Sequence, residues 1–161
     1  MRRHVSLFVF LAITVATVAS FDTTFPAVLV QRHEAEPAGW YEQLDKPDWA
    51  APVEVLAAGW AACYLLSAFA GWIVWRAQGL GSALMLWFVQ LGLAAAWPYQ
   101  LFARQRIDLA MDVAFALCLV IGAFMFFARR LRVSASVLFV PYTVWALYVM
   151  TLNLAILQLN A

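Results

Sequence analysis

Tryptophan is the residue type in this chain whose number and positions point to a chemical role. The sequence holds eight tryptophans among 161 residues, and Trp60, Trp97 and Trp145 fall well inside long apolar runs. An indole in such surroundings needs a partner for its N–H, so it usually faces the interior of a helix bundle or a ligand. A flat conjugated ligand would stack on these rings. Packing of a protein core would place them in the same way, and their spacing leaves both interpretations open.

Three further tryptophans, Trp72, Trp75 and Trp87, lie toward the ends of apolar runs. Indole rings concentrate where lipid meets water, because the ring is apolar and its N–H is polar. We therefore predict that these three residues anchor the protein at one membrane interface.

Hydrolytic and metal-dependent chemistry lacks the residues that it needs. The only histidines are His4 and His33, and no Cys, His or carboxylate group has the spacing of metal ligands, so no metal site is predicted. The chain has no phosphate-binding glycine loop and no nucleophile elbow. His33 has the chemistry to ligate a haem iron, although a single loop histidine is more often solvated. Cys63 and Cys118 lie apart within apolar runs, which predicts buried free thiols.

The composition indicates that lipid is the main solvent of this protein. Apolar residues make up 66% of the chain and charged residues only 12%, with a mean hydropathy of +0.82. Soluble domains are about 45–50% apolar and about 25% charged. Such a chain cannot cover a water-facing surface with polar side chains, so we predict an integral, multi-pass membrane protein. The net charge of +1 gives no reason to expect a nucleic acid as partner.

Five apolar runs are long enough to cross a bilayer as helices, since about 20 residues span its hydrocarbon layer. The predicted spans are residues 5–21, 54–75, 82–102, 108–128 and 133–157. Their continuous apolarity lacks the alternation of barrel strands, and the short connections require antiparallel neighbours. The predicted fold class is therefore all-α, an integral membrane bundle of five transmembrane helices in one domain, residues 1–161. The first run also resembles a signal peptide, and we interpret it as a retained span.

Charged residues are divided unequally along the chain. Seven of the nine acidic residues lie between Asp22 and Glu54. Six basic residues share the side of the amino terminus, namely Arg2, Arg3, Arg76, Arg129, Arg130 and Arg132; four lie on the other side, namely Arg32, Lys46, Arg104 and Arg106. Because Lys and Arg are enriched in cytoplasmic loops, six against four favours an amino terminus on the inside.

Polar residues inside the spans predict local features of the helices. Pro141 removes one backbone hydrogen bond and predicts a bend in the last span. Asn153 in the same span is predicted to bond across to a neighbouring helix. Asp112, near the start of the fourth span, is predicted to be structural and to be compensated by Arg104 or Arg106.

Small residues recur every four positions on two of the spans. The second span carries Gly59, Cys63, Ser67 and Gly71, and the third carries Gly92 and Ala96. Small side chains let helices approach each other closely. The pattern predicts either packing within one chain or a homodimer face, and the sequence does not separate these two.

The connection between the first two spans, residues 22–53, is long, polar and contains four prolines. A connection of this length in a compact protein is usually functional. It also carries Trp40, Tyr41 and Trp49, which a solvated linker would hardly need. We predict that this segment forms a partly ordered lid over one end of the bundle.

Four motifs, in order along the chain, resemble those of the TspO/MBR family of tryptophan-rich sensory and translocator proteins. The loop reads Trp40-Tyr41-x-x-Leu44-x-Lys46-Pro47-x-Trp49-x-x-Pro52 and is similar to W-Y-x-x-L-x-K-P-x-W-x-P-P. Trp60 followed by Tyr64 resembles W-x-x-L-Y, and Gln90-Leu91-x-Leu93-x-x-x-Trp97 resembles Q-L-x-L-N-x-x-W. Pro141-Tyr142-x-x-Trp145 with Leu152-Asn153 resembles P-Y-x-x-W…L-N. The spacing between the motifs also fits, and the similarity covers essentially the whole chain.

The resemblance implies a five-helix bundle, commonly dimeric, with a ligand pocket closed by the first loop. Members of the family bind porphyrins, haem-related tetrapyrroles and in some cases sterols, and some degrade protoporphyrin with two tryptophans that match Trp60 and Trp145. Matching the motifs places the ligand-binding residues at Trp40, Tyr41, Trp49, Trp60, Tyr64, Trp97, Tyr142, Trp145 and Asn153.

The chain also departs from the family pattern. Ala94 stands where the family has asparagine, and Trp97-Pro98-Tyr99 replaces its W-[ST]-P sequence. Ala51 precedes Pro52 where the family has paired prolines. No Lys or Arg follows Tyr148, so the proposed sterol pattern is absent at the carboxyl end. These differences bear on the polarity of the pocket, and a sterol is not expected.

The resulting hypothesis is a membrane protein that binds a tetrapyrrole as sensor, regulator or carrier and requires no cofactor. Without a predicted axial ligand, stacking and shape favour a metal-free porphyrin over coordinated haem, and Lys46 is a candidate for contact with the propionates. One alternative is a light- or oxygen-dependent porphyrin-degrading enzyme with Trp60 and Trp145 as candidate catalytic residues, although no acid–base pair supports ordinary catalysis. The other is a non-enzymatic scaffold or transporter that uses the small-residue face.

Overall fold

A computed structural model describes residues 2–21 and 37–160 of the chain. Within these residues the secondary structure is helical, without strands, so the all-α prediction is confirmed. The helices are α1 (Arg2–Phe21), α2 (Pro37–Gln43), α3 (Val53–Gln78), α4 (Ser82–Pro98), α5 (Ile107–Leu131), α6 (Val133–Val137) and α7 (Phe139–Leu159). His33 and the first half of the predicted lid lie outside the described residues.

Four stretches are long and apolar enough to cross a membrane: Val53–Gln78, Ser82–Ala103, Ile107–Leu131 and Val133–Leu159. The fifth, α1, contains a shorter apolar stretch, Leu7–Ala16. These five helices agree with the predicted spans and confirm an integral, multi-pass membrane bundle. They pack in the cyclic order α1, α4, α5, α7, α3, and α3 closes the ring against α1.

The ends of α3 follow from its flanking residues. The helix begins directly after Pro52, whose φ of −54° is compatible with the entry to a helix. It ends at Gln78, directly before Gly79, which has a φ of +71°, a value that glycine adopts without a steric penalty. The Gly79 N–H still donates to the Trp75 oxygen at 2.8 Å. The chain can therefore reverse within a few residues and begin α4 at Ser82.

The last span is interrupted at Leu138, between α6 and α7. Pro141 is the third residue of α7 and has no N–H to donate to the oxygen of Val137, four residues earlier. The interruption lies within one turn of Pro141, and the predicted bend of this span stays a prediction.

The third span contains an irregularity that the sequence pattern does not predict. After Pro98, residues Tyr99–Ala103 form a π-helical turn, and the Arg104 N–H donates to the Tyr99 oxygen at 3.0 Å. Such turns widen a helix by one residue and are frequent at functional sites. Here the turn contains Leu101 and Phe102, which are both 1% exposed.

The two ends of the bundle differ in charge. We call one the lid end, where α3 and α5 begin and α7 ends. All six acidic residues of the described part of the chain lie at this end, namely Glu42, Asp45, Asp48, Glu54, Asp108 and Asp112. We call the other the basic end, where α3 and α5 end and α4 begins. Among the described residues it carries Arg76, Arg129, Arg130 and Arg132 and no acidic residue.

Trp87 does not anchor the protein at the membrane interface, so that prediction is wrong for this residue. Its side chain is 0% exposed, and its indole N–H donates to the main-chain oxygen of Ser67 at 2.8 Å. A Cβ atom added to Gly71 would lie 2.5 Å from the indole nitrogen, so the glycine provides the space for the ring. The prediction used only the position of Trp87 near the start of α4, which carries no information about the space at Gly71 on α3.

Candidate functional site

Three helices contribute aromatic rings to one cluster in the interior of the bundle. Trp60 of α3 is 4% exposed, and its ring centroid lies 5.4 Å from that of Trp97 of α4, with 32° between the planes. Tyr142 of α7 meets the Trp60 ring nearly edge-on at 6.2 Å. Tyr64 of α3 lies 5.8 Å from Trp60. We call these four residues the aromatic cluster; the structure brings together in it residues that the sequence motifs had singled out separately.

Tyr64 is held in the cluster by a hydrogen bond that Pro98 makes possible. In a regular helix the N–H of residue 98 would donate to the oxygen of Ala94, but proline has no N–H. The Tyr64 hydroxyl donates to that oxygen instead, at 3.2 Å. The phenol therefore satisfies a buried carbonyl, and the Tyr64 ring remains available for stacking.

Several polar atoms in this region are buried without a hydrogen-bond partner. Among the described residues, eight side-chain nitrogen or oxygen atoms are in this position. Six of them belong to predicted ligand-binding residues: Tyr41, Trp60, Trp97, Tyr142, Trp145 and Asn153. Leaving one such group unpaired costs about 1–3 kcal/mol, so each one requires an explanation. Their concentration in one set of residues fits a site that receives a polar ligand.

Asn153 does not bond across helices, in contrast to the prediction. Its side-chain N–H donates to the oxygen of Val149, one turn earlier in α7, at 2.8 Å. The amide is 1% exposed, and its oxygen has no partner among the described residues. Asn153 therefore offers a buried acceptor rather than a link between helices.

Trp145 lies against α3 at Gly59. A Cβ atom on Gly59 would overlap the six-membered part of the Trp145 indole, so the ring occupies the space where a larger residue would project. Trp145 is half-buried, and its centroid lies 5.3 Å from that of Tyr148. The two candidate catalytic tryptophans thus lie on helices that contact each other, with Trp145 beside the residue that precedes Trp60.

The remaining small residues of α3 also pack inside the chain. Ser67 is 0% exposed and accepts a hydrogen bond from the Gln90 side chain at 2.8 Å, and Cys63 is buried. Gly59 contacts the Trp145 ring and Gly71 contacts the Trp87 ring. The face of this helix that was predicted to form a dimer is therefore covered by side chains of the same chain. The small residues of α4 differ: Gly92 is exposed with no atom near the position of its missing Cβ, and Ala96 is half-buried.

The described part of the lid places Tyr41 next to the aromatic cluster. Tyr41 of α2 is 6% exposed and contacts Phe102 edge-on, with 5.3 Å between centroids. Phe102 in turn meets Trp97 at 6.0 Å. Burial raises the pKa of the Tyr41 phenol to about 12, and the nearby Tyr148 adds to this rise. Trp40 is half-buried and packs against the core.

Lys46 stabilises the end of α2 and does not extend toward a ligand. Its ammonium group donates to the main-chain oxygens of Tyr41, Glu42 and Leu44 at 2.7, 3.0 and 2.8 Å. These three bonds use all three N–H groups of the ammonium. The predicted contact of Lys46 with propionates does not agree with this geometry.

Two contacts fasten the second half of the lid to α7. The main-chain N–H of Asp45 donates to the Asn160 side-chain oxygen at 3.0 Å, and the Asn160 amide donates back to the Asp45 oxygen at 2.8 Å. The Ala51 N–H donates to the Tyr148 hydroxyl at 2.8 Å. Trp49, predicted to line the pocket, is 51% exposed and meets Tyr148 edge-on at 5.9 Å. It therefore covers the rim of the site.

Sequence reasoning missed Phe102, Tyr148 and Asn160 as parts of this site. A signal for Tyr148 was present, because Tyr142, Trp145 and Tyr148 recur every three residues on one helix. Phe102 is positioned by the π-helical turn, and Asn160 by a contact across 115 residues; neither has a local signature. Asp112 has no part in the site, and Arg106 pairs with Asp108 instead, with a shortest N–O distance of 2.6 Å between exposed groups.

Comparison with known proteins gives one consistent match. The profile described as the TspO/MBR family matches residues 7–159. A tryptophan-rich sensory protein from Cereibacter sphaeroides is 34% identical over 125 residues, which are 78% of this chain and 79% of that protein. Protein CrtK from Rhodobacter capsulatus is 27% identical over 77% of this chain and 80% of its own length. A translocator protein from Ovis aries is 30% identical over 75% of each chain.

Proposed function

This chain belongs to the TspO/MBR family, and from that membership we propose that it binds a tetrapyrrole within its bundle and acts as a membrane sensor, regulator or carrier. The binding site consists of the aromatic cluster together with Tyr41, Trp145 and Asn153.

The unpaired polar atoms of these residues carry the proposal. A bundle that was only packed would have no reason to bury indole N–H groups of Trp60, Trp97 and Trp145 without acceptors. Indole N–H groups are donors only, and phenols can also donate. The ligand must therefore bring mainly acceptors, together with a flat apolar surface for the rings.

A porphyrin with carboxylate side chains has this combination. Its macrocycle is flat and conjugated, as stacking on Trp60 and Trp97 requires. Its propionates supply acceptor oxygens for the indole and phenol donors, and its pyrrole N–H groups are donors of the kind that the Asn153 oxygen accepts. Since Lys46 is engaged with the end of α2, the carboxylates are bound by neutral donors. A metal-free porphyrin needs no axial ligand, and we favour it for that reason.

A titration with protoporphyrin tests this site. The purified protein is titrated while its tryptophan fluorescence and the visible absorption of the porphyrin are recorded. We expect saturable binding in the wild type and an affinity at least about tenfold lower in the variant with Trp60→Phe and Trp145→Phe, which corresponds to about 1.4 kcal/mol. The matched control carries Trp72→Phe and Trp75→Phe, which removes two indoles outside the site. Equal affinities of the two double variants, or quenching that does not saturate, would overturn the proposal.

The same samples test whether the protein also degrades its ligand. Trp60 and Trp145 lie on two helices in contact, and we propose that a bound porphyrin meets both indoles. Under illumination in air, a new absorbing product that depends on both tryptophans would assign turnover in addition to binding. Porphyrin recovered unchanged from the wild type would limit the function to binding.

We also propose that homodimers of this protein form through α4. The face of α3 that carries Gly59 and Gly71 is filled by Trp145 and Trp87 of the same chain. Gly92 is exposed and Ala96 is half-buried, and their spacing permits close approach of two helices.

A further inference from the structure

An apolar groove opens on the outside of the bundle near its basic end, away from the aromatic cluster. Its volume is about 290 Å³, close to the lower limit of about 300 Å³ for ligand pockets. The most buried of its lining residues are Phe10 of α1 and Leu84 of α4, which are 5% and 1% exposed. The groove is flanked by Val9, Trp75, Leu80 and Phe88, which are between 39% and 73% exposed. Three helices thus form a recess that faces the lipid.

The lining of the groove matches a hydrocarbon chain. All of its lining side chains are apolar apart from the indole N–H of Trp75. Phe10 lies at the bottom of the groove, with its ring centroid 5.1 Å from that of the buried Trp87, so the recess has an aromatic floor. The groove is lined by apolar residues of α1, α3 and α4, and α3 and α4 are long and apolar enough to cross a membrane. A narrow, apolar occupant from the bilayer therefore fits it.

The charge beside the groove matches an anionic headgroup. Arg76 directly follows Trp75 and is exposed, with its guanidinium group 5.0 Å above the Trp72 ring. No acidic side chain of the described residues lies at this end, so Arg76 has no carboxylate there to pair with. Helix α1 begins at the same end with Arg2 and Arg3 in its sequence. Basic residues that flank recesses between membrane helices bind the headgroups of anionic lipids.

We infer that this groove is a binding site for an anionic phospholipid, with one acyl chain in the recess and its phosphate at Arg76. The guanidinium group is suited to this role because it binds phosphate through paired hydrogen bonds. The site is independent of the proposed tetrapyrrole site, which lies among different side chains.

Lipids with brominated acyl chains test this inference, because bromine quenches an indole that it contacts. The protein is reconstituted in vesicles of phosphatidylcholine with increasing phosphatidylglycerol, and either lipid carries the bromine. The difference in quenching between the wild type and Trp75→Phe gives the part that comes from Trp75, and this part reports on the groove. We expect brominated phosphatidylglycerol to quench Trp75 at an about fivefold lower mole fraction than brominated phosphatidylcholine.

Two charge variants identify the headgroup contact. Arg76→Gln should abolish the preference for phosphatidylglycerol, while Arg129→Gln, which removes the same charge at the same end of the bundle, should retain it. Both residues are exposed, so neither change affects the core. Equal quenching by the two lipids, or a preference that survives Arg76→Gln, would overturn the inference. Protection of Trp75 from both lipids would also overturn it and would indicate that a second copy of the chain covers the groove.

Discussion

The hydroxyl of Tyr64 lies 3.2 Å from the main-chain oxygen of Ala94. Pro98, four residues after Ala94, has no N–H to donate to this oxygen. A tyrosine on one helix thus compensates for a proline on the next. This bond links the ring that stacks on Trp60 to the helix that carries Trp97, and it sets the geometry of the aromatic cluster.

Removal of this hydroxyl should destabilise the protein. Tyr64→Phe leaves the Ala94 oxygen buried without a partner, and we expect the free energy of unfolding to fall by about 1–3 kcal/mol. Thermal unfolding in detergent measures the effect, with Tyr99→Phe, whose ring is 42% exposed, as the control. In a Pro98→Ala background the main-chain N–H of residue 98 can donate to the Ala94 oxygen. Tyr64→Phe should then lower the free energy of unfolding by less. An equal cost in both backgrounds would contradict the compensation.

A methyl group at Gly59 should disturb the site more than one at Gly122. In Gly59→Ala the new Cβ overlaps the Trp145 ring, and overpacking of this kind costs about 1–3 kcal/mol. We expect a lower melting temperature and weaker porphyrin binding. Gly122→Ala adds the same atom where nothing lies within 4 Å, and it should leave both quantities unchanged. Similar effects of the two substitutions would argue against the observed position of Trp145.

Loss of the Asn160 side chain should loosen the lid. Asn160→Ala removes two hydrogen bonds to Asp45, each worth about 0.5–1.5 kcal/mol. We expect the release of bound porphyrin to accelerate about fivefold or more, as seen in stopped-flow chase experiments, while the fold is retained. The control is Gln158→Ala, which changes an exposed residue near the end of α7, two positions before Asn160. An unchanged release rate would show that the lid does not limit exit.

The lid should also weaken at high pH because of Tyr41. Its pKa is raised from 10.0 to about 12 in the folded protein, so its neutral form favours the closed lid. That contribution is complete below about pH 10, where the phenol is neutral in both states, and it is lost as the pH rises toward 12. Porphyrin release should accelerate over this interval in the wild type and less in Tyr41→Phe. Lys46 is present in both proteins, so the comparison isolates Tyr41.

A large side chain on the outer face of α4 should weaken the proposed dimer without affecting the fold of the monomer. Gly92→Leu places a branched side chain at an open position, which prevents close approach of two helices. We expect a shift from dimer to monomer in analytical ultracentrifugation and no change in porphyrin affinity. Gly122→Leu, at another open position, is the control. A dimer that tolerates Gly92→Leu would place the interface elsewhere.

The spans and the inward direction of the deep tryptophans were predictable because both depend on local composition. The length of an apolar run defines a membrane-spanning helix. An indole in the middle of such a run, such as Trp60, finds few hydrogen-bond partners for its N–H outside the bundle interior. Trp87 was misjudged because its distance from the end of a run says nothing about the recess at Gly71 on the neighbouring helix. The engagement of Lys46 and the bond between Asp45 and Asn160 were also unpredictable, since both depend on how the lid folds back.

The pairing of Asp45 with Asn160 has a consequence for the order of events during biosynthesis. The two residues are separated by 115 positions, and domains form as the chain emerges from the ribosome. The bond between the lid and α7 cannot form until the entire intervening chain has been translated and inserted into the bilayer. Helix α7, which carries Tyr142, Trp145 and Asn153, precedes Asn160 in the chain, so the residues that line the interior are all made before the contact that covers them.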